Sequence, residues 1–93
     1  MPIFVVDARP TGEALARVVL LLHRLRAPIE SLWASYDEAP GLLRVEIAIP
    51  ETEERLERIE SNLYKIVDVL LVERKSGDAE EVPNRKTGGW RKP

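Results

Sequence analysis

The side chains best suited to chemistry are few: one histidine, His23, no cysteine, and a run of carboxylates between Glu51 and Glu60. A lone imidazole needs a carboxylate or a second ligand to orient it as a base or a metal site. None stands at a useful spacing on its helix, so His23 reads as a surface residue. The glutamates could hold a hard cation, but they spread around a helical segment with Arg55 and Arg58 among them. Glu51 with Arg55 and Glu54 with Arg58 stand at i,i+4 in the favourable order, the mark of a solvated face. Without cysteine there is neither a thiolate site nor a disulfide. No metal is expected in this chain, and the remaining chemistry is recognition. Arg9 can pair with a carboxylate, and Gly12 precedes a helix whose first N–H groups favour an anion. The plainer reading of Gly12 is a turn glycine held for its backbone angles, and Glu13 would repel an anion there. Trp33 and Tyr36 are large aromatics of the kind found at interface centres.

These residues need elements to position them. Ile3-Phe-Val-Val6 is a β-rich run, followed by the turn-like Ala8–Gly12. Thr11 is placed to cap a helix with Glu13 in its first turn. Leu15, Val18, Val19, Leu22 and Leu25 recur at spacings of three and four and predict one buried helical face. Leu20 falls on the opposite, outer face. Pro28 prevents this helix from continuing, so a second strand is predicted from Pro28 or Ile29 to about Tyr36. After the turn Asp37–Gly41, Leu43, Val45, Ile47 and Ile49 alternate with Arg44, Glu46 and Ala48, a strand with one buried face. A second helix is predicted from about Thr52 with Leu56, Ile59 and Leu63 buried. The last strand runs from Ile66 to about Glu73. The order β-α-β-β-α-β predicts an α+β, ferredoxin-like sandwich, with two helices on one face of a four-stranded antiparallel sheet.

Ninety-three residues make one domain, predicted over residues 1–73. That body holds 8 Lys and Arg against 13 Asp and Glu, while residues 74–93 hold 6 against 3. An acidic body argues against nucleic-acid binding. The charged segment from Arg74 to Pro93 reads as a mobile tail. Its Trp90, among Arg85, Lys86, Arg91 and Lys92, suits a solubilising extension or a docking segment for a protein partner better than a nucleobase stack. The apolar run Val18–Leu22 is too short for a bilayer, and the N-terminus lacks a secretion signal, so the expected location is cytoplasmic, with no membrane contact.

Gly12, Leu15-Ala-Arg-Val18, Ile29-Glu-Ser-Leu32 and Leu63-Tyr-Lys-Ile-Val-Asp-Val69 occur in an order and at spacings that resemble the ACT domain of acetolactate synthase small regulatory subunits, over roughly residues 3–73. The resemblance is to the short form, which lacks a second C-terminal domain. It implies a non-catalytic subunit that forms a homodimer by pairing second strands into a continuous eight-stranded sheet. It also implies binding to, and activation of, an acetolactate synthase catalytic subunit in branched-chain amino-acid synthesis. Thiamine diphosphate, magnesium and flavin belong to that partner. In feedback-regulated members valine lies between the loop after the first strand of one protomer and the start of the second strand of the other. The matching positions are Arg9, Thr11, Gly12, Ala14 and Leu15, facing Pro28 and Ile29. Pro28 stands where the family usually has an asparagine that bonds the effector, and the loop lacks its usual Asn. Activation without valine feedback is therefore the expectation. Dimer or partner contacts are expected from Leu20, Ile29, Ser31, Trp33 and Tyr36. The alternative is a free-standing ACT module that senses another amino acid and acts on a different enzyme. Acylphosphatases share the element order, but their glycine-rich loop and Phe-Arg pair are missing here. An RNA-binding module would need an aromatic on the third strand to stack a base, and Leu42–Ile49 has none.

Overall fold

A computed structural model describes residues 1–76. The chain runs β1 (Pro2–Ala8), α1 (Gly12–Arg24), β2 (Ser31–Asp37), β3 (Leu42–Ala48), α2 (Glu53–Leu63) and β4 (Val69–Ser76). The four strands form one antiparallel sheet in the order β2-β3-β1-β4. This is the ferredoxin-like sandwich that the periodicity predicts.

One face of the sheet meets both helices. Phe4 and Val6 of β1, Val45 and Ile47 of β3 and Val72 of β4 pack with Val18 and Leu22 of α1 and Leu56, Ile59 and Leu63 of α2. The other face is open, yet Ile3, Val5 and Ala48 form a small buried cluster on it. The register explains their burial: Val5 lies between Glu46 and Glu73, and Ile3 between Ala48 and Lys75, so long neighbours cover the central strand.

The helix starts follow the sequence. Thr11 Oγ1 accepts from the Ala14 N–H at 3.1 Å, and Thr52 Oγ1 from the Arg55 N–H at 3.3 Å. The buried line of α1 is rotated from the predicted one. Ala14, Val18 and Leu22, at i,i+4 spacing, are buried, and Val19 turns outward. Successive helical residues are about 100° apart, so a face centred on Val18 leaves Val19 at its rim.

Two strands begin later than predicted. Before Pro28 is reached, α1 already ends in a Schellman turn: Arg26 N–H donates to His23 C=O, and Ala27 N–H to Leu22 C=O, both at 3.0 Å. Arg26 occupies the left-handed position of this turn, with φ 58°. Arg55 of α2 donates to the Leu25 and Arg26 carbonyls at 3.2 Å each, placing a cation on the negative end of α1. It also pairs with Glu51 at 3.4 Å. Arg58 makes no such pair with Glu54. Sheet bonding then opens with Glu30 N–H to Ala48 C=O at 2.8 Å. Likewise, turns bonded Lys65–Asn62, Ile66–Leu63 and Val69–Ile66 use up the start predicted for β4. That strand continues through Arg74 and Lys75 to Ser76, residues predicted as tail. The reading of Trp90 lies outside the described residues.

Candidate functional site

The loop from Arg9 into α1 is built by backbone bonds and a cap. Arg9 N–H donates to Asp68 C=O and Thr11 N–H to Arg9 C=O, each at 2.8 Å. The Thr11 hydroxyl serves the helix cap, Ala14 is buried and Leu15 packs against the core. Arg17 is held by Glu13 at 2.7 Å and by the buried Asp68 at 2.9 Å, tying the first turns of α1 to the approach to β4. Arg9 and Gly12 remain exposed. Gly12 has no positive φ, and a Cβ built there would meet nothing within 4 Å. Neither its backbone angle nor its packing within the chain requires a glycine, so the turn-glycine reading does not hold.

Pro28 and Ile29 are also exposed, at the other end of α1. A 13-residue helix is about 20 Å long. One protomer therefore does not bring Pro28 and Ile29 together with Arg9–Leu15. The two halves can meet only between copies.

The second group of predicted residues lies along β2. This strand bonds to β3 alone and forms one margin of the sheet. The register puts Ser31, Trp33, Ser35 and Asp37 on the open face, and Leu32, Ala34 and Tyr36 on the helix side. Leu20 and Tyr36 are each 58% exposed, and Val19, Ile29 and Leu32 are between 36% and 38%. Sequence reasoning named Leu20, Ile29 and Tyr36 in this group but missed Val19 and Leu32. The alternation of β2 pairs Leu32 with Tyr36 and would have found the second.

Beside Trp33 the open face holds a shallow depression of about 410 Å³, with Ser35, Asp37, Arg44, Glu46 and Asp7 on its walls. Arg44 Nε and Nη2 donate to the two carboxylate oxygens of Asp7 at 2.9 and 3.2 Å. That bond, assisted by the charges of Asp7, Glu46 and Glu73, raises the guanidinium above its ordinary value against a smaller opposing effect of burial. Among the described residues no three His, Cys, Asp or Glu side chains converge to hold a metal ion. No helix there is long and apolar enough to cross a membrane.

No family model and no curated protein matches the sequence. Solved structures do. The acetolactate synthase small subunit of Thermotoga maritima is 25% identical, with a TM-score of 0.75 over 85% of this chain and 49% of that one. This chain thus spans about half the length of that subunit. The ACT domain of the GTP pyrophosphokinase of Chlorobium tepidum, at 14% identity, has a TM-score of 0.71 over 83% of this chain and 86% of its own. A formyltetrahydrofolate deformylase from Pseudomonas putida, at 12% identity, has a TM-score of 0.67 over 97% of this chain and 37% of its own. The last two speak to the fold alone. The sandwich, its strand order and these matches together give the chain a ferredoxin-like ACT fold, similar to that of the acetolactate synthase small subunit of Thermotoga maritima.

Proposed function

We propose that the chain is a non-catalytic regulatory subunit that binds and activates an acetolactate synthase catalytic subunit in the cytoplasm. The observation that carries this reading is the likeness to the Thermotoga maritima small subunit across 85% of the chain. Two copies pair along β2, helped by the exposed apolar side chains of Val19, Leu20, Ile29, Leu32 and Tyr36. Activation then follows from differential binding. The paired subunit favours the active conformation of the catalytic partner and shifts its equilibrium. No residue of this chain performs chemistry, and it carries no cofactor.

Valine feedback is absent in this reading. An effector would lie where Arg9, Thr11, Gly12, Ala14 and Leu15 of one copy face Pro28 and Ile29 of the other. Pro28 offers neither an N–H nor a polar side chain. Arg17, the cation on the first turns of α1, is already paired with Glu13 and Asp68. The test is acetolactate formation by the catalytic subunit from the same genome, with and without this protein, and then with valine. The expected result is a several-fold rise that valine leaves unchanged. No rise and no co-purification would refute the assignment.

One observation favours a second reading, an ACT module that senses a different amino acid and acts on another enzyme. The space above Gly12 is open although nothing within the chain demands a glycine there. A panel of amino acids in a thermal-shift assay separates the two. A shift with a single amino acid supports sensing, and none at millimolar ligand removes it.

A further inference from the structure

A sheet margin is a row of backbone donors and acceptors ready to pair with another strand, and proteins that must not aggregate block it. The outer margin of β4 is blocked by a side chain. Tyr64, the residue that ends α2, reaches the middle of β4. Its hydroxyl accepts from the Val72 N–H at 3.0 Å and donates to the Val72 C=O at 3.1 Å. A phenol has one donor and free acceptor capacity, so one group satisfies both outward groups of that residue. An incoming strand would have to displace the ring and replace both bonds.

Two neighbouring features work in the same direction. The pairing of β4 with β1 shifts register between Asp7 and Ala8, which places a bulge next to Val69, and bulges twist a margin away from flat pairing. Arg74 is drawn back onto α2 by Glu53 at 2.8 Å and Glu60 at 3.1 Å. The margin still carries exposed apolar groups, with Leu70 47% and Leu71 43% accessible. Apolar exposure beside an open ladder invites association, so the block has something to prevent.

We propose that Tyr64 seals the β4 margin against strand addition, so that β2 is the one strand-accepting margin of the described sheet and the assembly closes at two copies. The inference rests on the β2 pairing proposed above. Without a seal, β4 of one pair meets β4 of the next and the sheet grows beyond two copies.

The test is molar mass against concentration by sedimentation equilibrium, on full-length wild type, Tyr64→Ala, and Tyr64→Ala combined with Leu32→Lys. Wild type stays at two copies. Tyr64→Ala forms larger species, and the combined variant, with β2 weakened, associates through β4 instead. A folded Tyr64→Ala protein with the wild-type copy number overturns the proposal. Should wild type run as a single copy, β2 pairing fails while the Tyr64 claim is still read, because the alanine variant must then exceed one copy. Should Tyr64→Ala not fold, Tyr64→Phe keeps the ring and loses the hydroxyl. It is then expected to raise Val72 amide exchange roughly tenfold and to increase association. No change in either measurement overturns the seal.

Discussion

The two margins of this sheet are built on opposite principles. β2 reads Ser-Leu-Trp-Ala-Ser-Tyr-Asp, without lysine, arginine or proline and with its one charge at the far end. β4 reads Val-Leu-Leu-Val-Glu-Arg-Lys-Ser, with three successive charges, a bulge and a tyrosine bonded across its centre. Both lie at the rim of the same core, so the difference is not one of stability. On the reading proposed above, it suits one margin to a partner and keeps the other from one.

The largest effect expected from a single change removes the frame under both margins. Phe4 is fully buried in the central strand, and Phe4→Ala should cost about 3–5 kcal/mol in urea unfolding. Selective loss of β4 with β2 pairing intact would show that the margins do not share one core. Next in size is Leu32→Lys, which puts a charge on the accepting margin. It should weaken self-association about tenfold or more while altering unfolding by less than about 0.5 kcal/mol. An unchanged association constant would mean that copies do not pair along β2.

Smaller effects probe how β2 is held in place. Arg55 fixes the last carbonyls of α1 just before β2 begins, and Arg55→Ala should cost about 1–2 kcal/mol. Hydrogen exchange should loosen at Ala27–Glu30 and not at β4. Loosening at both ends equally would count against a local role. The smallest change should stabilise. Arg26 holds a left-handed backbone angle that glycine adopts freely, so Arg26→Gly should raise unfolding stability by about 0.5–1 kcal/mol. A loss of stability would show that contacts of the Arg26 side chain outweigh its backbone strain.

Much of this frame is legible in the sequence where the signals are local. Thr11 and Thr52 cap helices as their positions predict, and Leu56, Ile59 and Leu63 form the buried line of α2. Alternation along β3 correctly separates Val45 and Ile47 from Arg44 and Glu46. What is not legible depends on partners far along the chain. Nothing near Arg26 announces a left-handed residue, because Arg55, 29 residues later, helps to fix that turn. Tyr64 reads as one position in a resemblance, and its contact with Val72 needs the turns between α2 and β4 to bring it round. The exposed apolar side chains of Leu20, Ile29 and Tyr36 on and beside α1 and β2 are legible in the sequence pattern. The predicted effector residues are split between the ends of α1, so their meeting depends on a second copy.

The most direct test of the account is amide hydrogen exchange of the full-length protein at high and at low concentration. Leu32, Ala34 and Tyr36 in β2 should lose protection on dilution, while Val72 in β4 stays protected at both concentrations. Concentration-dependent protection at Val72, with β2 unchanged, would reverse the roles of the two margins and contradict it.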